Sequence, residues 1–417
     1  MKSKNILKTL GPGLLWAGAA VGVSHLVQST RAGANFGFYF IWILLLANFL
    51  KYPSFEFGPR YATSTGKTLV QGYSKIGKWA VILYIILTIS TMFAIQAAVT
   101  VVTAGLVGNI FNLSISINTI SAIILVVTMV ILIIGKYAIL DKLIKFIIII
   151  LSITTIFAVI KSFSLGYNPN PEFAKNFDFT KSLDIAFLIA FIGWMPAPLD
   201  ISIWHSFWSV AKQKDTGYKP KLKESLFDFN VGYIGTIILA LGFLSLGALV
   251  MYGSGEKFSP KGIAFSGQLI KMFTSSTGAW AYWIIAIAAL TTMFSTTTTC
   301  LDAYSRVLTP SIKLIKNNET KKNTGSISIF WMTIVVTGSL ALLFFFSSSM
   351  KFMVDLATTI SFVTAPFFAI LNYMVVTDKH MPVKARPKLW LKIHAWIGII
   401  FLSAFSIFYI FWKLTIF

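Results

Sequence analysis

An apolar stretch long enough to cross a membrane, Leu14 to Arg31, carries Gly22, Ser24 and His25 at mid-depth. A second, Ile192 to Asp200, is interrupted by Pro196 and Pro198 and ends on a carboxylate. Glycine and proline interrupt a helical ladder. A broken helix offers N–H groups and a positive dipole end to an anion, or carbonyls to a cation. Gly22, Val23, Ser24 and His25 are therefore candidate substrate contacts. Gly22 allows close backbone approach, Ser24 adds a hydroxyl, and His25 adds a ring N–H that can be charged. Trp194, Pro196, Ala197, Pro198 and Asp200 are candidates from the second break, with Gln96 from a third apolar stretch. Small residues predict a small pocket, and a compact oxyanion such as bicarbonate fits it; nitrate, formate and acetate belong to the same class. Asp200 opposes an anion unless it is protonated, turned away or holding a coupling cation.

These positions need a membrane scaffold, and the composition provides one. Of 417 residues, 56% are hydrophobic and 12% charged, with mean hydropathy +0.78. The charged share is about half that of soluble proteins. Apolar segments of ~20 residues predict spanning helices, and the alternation of a membrane barrel is absent. No cleavable signal peptide is expected, because the apolar run after Lys8 continues into the broken span. The net charge of +21 does not predict nucleic-acid binding, because basic residues fall in alternate loops, as membrane topology requires. The single Cys300 excludes an internal disulfide, and no Cys/His cluster predicts a structural metal.

Eleven spans are predicted, roughly 12–32, 38–58, 79–107, 117–135, 143–163, 183–210, 230–252, 279–307, 326–346, 352–376 and 391–414. One set of loops and span ends holds 25 Lys and Arg and the other 8, with Arg31 and Lys51 assigned to neither. The richer set comprises Lys2, Lys4 and Lys8; Arg60, Lys67, Lys75 and Lys78; Lys136, Lys142 and Lys145; Lys212 to Lys223; Arg306 to Lys322; and Lys379 to Lys392. This predicts a multi-pass cell-membrane protein with its N-terminus cytoplasmic and its C-terminus external. The polar loop 164–180 separates two five-span halves. Odd span numbers give the halves opposite topology and make broken spans one and six symmetry partners. The expected units are 1–165, 166–380 and an eleventh helix in 381–417.

Gly11-Pro-Gly opens span one and Arg31-Ala-Gly-Ala-Asn-Phe-Gly-Phe closes it; Gly58-Pro-Arg-Tyr ends span two and Trp204-His-Ser206 lies in span six. This set of motifs resembles the Nramp family of divalent-metal transporters. The resemblance implies an all-α membrane protein of LeuT-type fold, five plus five inverted spans with an eleventh helix. It also implies alternating access. The departures fall in the breaks. Where the family has Asp-Pro-Gly-Asn in span one, this chain has Gly22-Val23-Ser24-His25. In span six the family's Met-Pro-His aligns either with Pro198 to Asp200 or, with an insertion, with Met195-Pro196. Span three lacks the family's acids. The LeuT-type resemblance further implies a sodium site made by the carbonyls of Ala20 and Val23 with Ser295, Thr298 and Thr299. Ser and Thr in membranes also bond back to their own helices.

Two readings of the cargo follow. One is Na+-coupled import of a small inorganic anion, bicarbonate foremost. The other is a divalent-metal transporter (Mn2+, Fe2+ or Mg2+) with a rebuilt site of His25, Met195 and Asp200. A non-transporting sensor on the same fold is a third class. No tightly bound cofactor, no nucleic acid and no enzymatic motif are expected; the partners are the ion and the bilayer, and the chain is read as monomeric. Arg31, Glu56 and Asp355 are flagged as intramembrane charges. Asp302 and Arg306 read as a local ion pair or an inner gate. His205 reads as a hydrogen-bonded interior residue or a proton relay, and His380 and His394 as structural. Asn112-Leu-Ser114 matches a glycosylation sequon.

Overall fold

The computed structural model describes residues 11–135, 137–315, 324–346 and 349–416. Lys2, Lys4, Lys8, Lys136, Lys316, Lys321 and Lys322 of the basic set lie outside the described residues, as do the side chains of Lys142 and Lys145. All described regular structure is helical. Each predicted span is present. Span one comprises Pro12–Ala20, a π-helical turn Ser24–Ser29 and Thr30–Phe36. Spans two to five are Phe40–Thr65, Lys78–Ile110, Ile117–Ile134 and Tyr137–Ser164. Span six is Ser182–Trp194 followed by Ile201–Thr216. Spans seven to eleven are Leu222–Val250, Tyr282–Ile315, Thr324–Phe346, Met350–Thr377 and Leu389–Ile416. Among the described residues, eight helical stretches are long and apolar enough to cross a membrane, and Ile149–Ser164 and Ser182–Trp194 are shorter apolar helices.

Two further helices lie in predicted loops. Leu69–Ile76 begins with a capping box, in which the Thr68 side chain accepts from the Gln71 backbone and the Gln71 side chain accepts from Thr68 N–H. Such reciprocal caps satisfy two end donors at once. Gly262–Thr277 joins spans seven and eight.

Spans three and eight pack against each other along the centre. Span one lies on span seven, as span six lies on span two. Span three touches spans four, nine and ten; span eight touches nine, four and five. Exchanging each span with the one five places later turns these neighbour pairs into one another, as an inverted repeat requires. Span eleven packs outside, on spans two and ten.

Glycines bring spans one and seven close. A Cβ on Gly33 would lie 1.9 Å from the Leu244 carbonyl oxygen, and one on Gly247 would lie 2.3 Å from that of Thr30. Gly13 and Gly232 repeat the arrangement one end further along. Small residues permit such backbone approach between membrane helices. Asp228 of span seven then accepts Gly11 N–H at 3.1 Å and Gly13 N–H at 2.6 Å. A carboxylate here supplies acceptors for the helix's orphan donors and complements its positive end.

Candidate functional site

The first half of span one packs on the second half of span six, while the π-helical turn packs on the first half of span six. The two interruptions therefore come level with each other. In span one the helix stops at Ala20, where Val21 takes an extended conformation. It restarts when Gly22 C=O accepts from His25 N–H at 3.1 Å and Leu26 N–H at 2.9 Å. Gly22 is needed for packing here: a Cβ would meet Thr296 Oγ1 at 2.7 Å.

Ser24 and His25 bridge the break. Ser24 Oγ donates to Ala20 C=O at 2.6 Å and lies 2.7 Å from His25 Nδ1. His25 Nε2 lies 3.0 Å from Thr236 C=O on span seven. A carbonyl only accepts, so Nε2 carries a proton. Ser24 has one hydroxyl proton. While it serves Ala20, the Nδ1 contact is a hydrogen bond only if Nδ1 is also protonated, which makes the ring a cation. A neutral ring requires Ser24 to turn its proton to Nδ1 and release Ala20. Both ring nitrogens of His25 are thus engaged, and neither is left to ligate a metal. The Ser24 hydroxyl, predicted as a substrate donor, is occupied within the break.

In span six, Met195, Pro196, Ala197, Pro198 and Asp200 are all buried, and the Met195–Pro196 peptide is cis. Trp194 Nε1 donates to Ser361 of span ten at 2.7 Å. Asp200 Oδ2 accepts from Tyr304 of span eight at 3.3 Å, whereas its Oδ1 is buried without a hydrogen-bond partner. Trp204 Nε1 and both His205 nitrogens are likewise buried and unpartnered, so the hydrogen-bonded interior His205 is not observed. Buried polar atoms without partners are uncommon, and these line the second half of span six.

The sequence reading missed Lys51, which it assigned to neither set of loops. Lys51 is fully buried in span two. Its ammonium donates to the carbonyls of Ile192 at 2.5 Å and Gly193 at 2.8 Å. These carbonyls close the first half of span six, where orphan acceptors and the negative dipole end gather. A lysine in a strongly apolar span was the available signal; its partner, 141 residues away, was not readable.

The residues expected to form the sodium set do not all face the break. Thr298 Oγ1 bonds back to Phe294 C=O on its own helix at 2.8 Å. The hydroxyl that reaches the break is that of Thr296, 3.3 Å from Val21 C=O and 3.1 Å from Thr292 C=O on its own helix. At 100° per residue, Thr298 lies about 200° round the helix from Thr296. Thr292, Ser295 and Thr299 flank Thr296 instead, and Thr292 Oγ1 is buried without a partner. Ala20 C=O is taken by Ser24, and Val23 begins the restart. Gln96 is directed to span eight, with Nε2 donating to Thr297 C=O at 3.2 Å and Oε1 unpartnered.

The remaining flagged charges are paired. Arg31 grips Asp355 at 2.7 and 3.2 Å, donates to Gln28 at 3.0 Å, and lies 5.0 Å from the Phe187 ring. Glu56 pairs with Arg60 at 2.6 Å, and Arg306 with Asp302 at 2.9 Å, both along one helix. His394 caps Phe49 C=O at 2.7 Å. In the loop after span ten, the His380 backbone N–H and ring beside Asp378 hold its carboxyl below the usual range. Asn112 is exposed and takes a left-handed conformation, φ 48°. Among the described residues, no three His, Cys, Asp or Glu side chains gather as a metal site.

With this geometry in view, comparison with known proteins gives the class. A mutant of the Eremococcus coleocola manganese transporter matches with TM-score 0.74 at 14% identity, covering 97% of this chain and 86% of that one. Mhp1, a nucleobase-cation-symport-1 family transporter, matches with TM-score 0.58 at 12% identity, covering 98% and 93%. MhsT in complex with L-phenylalanine matches with TM-score 0.59 at 15% identity, covering 95% and 98%. The fold is the LeuT-type fold, five plus five inverted spans with an eleventh helix.

The chain belongs to the Nramp family, described as natural resistance-associated macrophage protein-like, which it matches over residues 13–412. An uncharacterized protein of Pasteurella multocida (strain Pm70) is 39% identical over 406 residues, 96% of this chain and 91% of that relative. This is a multi-pass membrane transporter for a small ion, and it is not an enzyme.

Proposed function

We propose that this transporter carries a small inorganic anion, bicarbonate foremost, coupled to Na+. The observation that carries this reading is Lys51. Carbonyl ends of broken helices are where transporters of this kind hold cations. Here an ammonium already occupies the carbonyls of Ile192 and Gly193. A divalent metal between the breaks would face that charge without the span-one carboxylate. An anion gains from Lys51 and from the N–H groups at the restart of span one.

Sodium is assigned to the same cleft on its other side. Val21 C=O, Thr296 and the neighbouring Thr292, Ser295 and Thr299 offer neutral oxygens from spans one and eight. Binding there steadies the restart of span one, and the anion then meets ordered N–H groups. The units 1–165 and 166–380 are the inverted repeats, residues 381–417 are peripheral, and one helix bundle rocks against the other in alternating access. The distribution of basic loops favours an N-terminus in the cytoplasm and a C-terminus outside.

A second reading is divalent-metal transport. The family match and the manganese transporter of like fold favour it, and the unpartnered Asp200 Oδ1 with buried Met195 supplies two donors. His25, with both nitrogens engaged, drops out of that ligand set.

Thermal unfolding of the purified protein separates the two. A ligand bound only by the folded state raises its stability, by about 2.7 kcal/mol at a hundredfold excess over Kd. Bicarbonate is expected to raise the midpoint in sodium but not in potassium buffer, and manganese to leave it unchanged. Stabilisation by manganese alone would overturn the anion reading.

A further inference from the structure

A large cavity lies away from both breaks, at the end of the molecule carrying loops 165–181 and 251–261. Its volume is about 830 Å³, and Arg31 and Asp355 are on its wall. Six basic side chains line it against two carboxylates, Asp184 and Asp355. The basic groups are Arg31, Lys175, Lys181, Lys257, Lys351 and Lys413. A smaller niche of about 110 Å³ shares Arg31, Asn35, Lys257 and Lys351 with this chamber and adds Ser259. That volume holds roughly three or four waters.

The poorer loop set contains eight lysines, and five of them line this one cavity. Topology alone asks for few basic residues on this side and gives no reason for them to converge. The acids nearby are already engaged: Asp355 by Arg31 and, at the rim, Asp178 by Lys181 at 3.2 Å. Asp184 accepts Asp178 N–H at 3.1 Å. The niche is held in shape, because Lys351 N–H donates to Pro260 C=O at 3.3 Å. That contact ties the loop bearing Lys257 to the start of span ten.

We propose that this outer chamber is an anion-capture site, and that the niche between Arg31, Asn35, Lys257, Ser259 and Lys351 seats a small oxyanion before it passes inward. The proposal rests on the anion reading above. Clefts lined by one sign of charge raise the local concentration of the opposite sign, an effect that weakens with salt. The lysines therefore act on capture and leave the transport cycle itself untouched.

The experiment is initial-rate uptake of labelled bicarbonate into proteoliposomes by wild type, by the Lys257→Gln/Lys351→Gln double variant, and by Lys161→Gln, a lysine outside the chamber. The double variant is expected to show KM raised about fivefold or more with kcat within twofold, and a flattened dependence of KM on ionic strength. Lys161→Gln should match wild type. An unchanged KM in the double variant would overturn the proposal, whereas absent uptake by wild type would overturn the anion reading itself. A second measurement needs no transport. The only cysteine, Cys300, is buried, so Ser182→Cys places a unique accessible thiol at the chamber wall. An anionic methanethiosulfonate should modify it faster, relative to a cationic one, than it modifies the same thiol in the Lys257→Gln/Lys351→Gln background. Equal ratios in the two backgrounds would contradict a basic chamber.

Discussion

At the scale of single residues, three side chains decide the chemistry of the breaks. His25 joins the span-one break to span seven through Thr236. Replacing it with Ala leaves the buried Thr236 carbonyl without its ring donor, and an unsatisfied buried acceptor costs about 1–3 kcal/mol. His25→Ala should therefore weaken anion uptake by about tenfold; unchanged uptake would remove His25 from the site. Thr296 and Thr298 form a paired test. Thr296→Ala should raise the sodium concentration for half-maximal uptake about fivefold, the worth of one neutral hydrogen bond. Thr298→Ala should leave it near wild type, since that side chain lies about 200° round the helix from Thr296. Equal shifts would return the sodium site to the register expected from sequence. For Lys51, substitution by Met uncovers two buried carbonyls at about 1–3 kcal/mol each. Loss of thermal stability together with uptake is expected, and a stable, fully active Lys51→Met variant would refute its placement in the site.

At the scale of elements, legibility followed the kind of information each feature needs. The spans were readable because hydropathy and length are local properties. Both breaks were readable because Gly22, Pro196 and Pro198 stand among polar residues (Ser24, His25, Asp200) inside apolar spans, whereas lone prolines such as Pro53, Pro310 and Pro366 sit within continuous helices. The helix Leu69–Ile76 was also readable in principle from Thr68 and Gln71, three residues apart as a capping box requires. What was not readable was facing. Five consecutive Ser and Thr residues give no register, and only packing against Val21 and Gly22 selects Thr296. Lys51 and the carbonyls it covers belong to different halves of the chain, so no spacing rule joins them. The glycine contacts between spans one and seven carry a prediction at this scale. Gly33→Val drives a side chain into the Leu244 carbonyl, and overpacking of this kind costs about 1–3 kcal/mol. A lowered unfolding midpoint in detergent is expected; an unchanged midpoint would show that the two spans part easily.

For the whole molecule, the architecture and the family are fixed while the cargo is a matter of charge. The chain keeps the inverted-repeat scaffold of the Nramp family. A carboxylate is missing from span one, a lysine caps the broken end of span six, and basic side chains ring the outer chamber. Each change alone has a structural explanation; the proposed function takes the three together as favouring an anion. The most direct measurement is uptake into proteoliposomes of labelled bicarbonate and labelled manganese, each with and without an inward sodium gradient. The account predicts bicarbonate accumulation that requires the gradient, with manganese uptake at the level of empty liposomes. Manganese accumulation indifferent to sodium, without bicarbonate uptake, would contradict it.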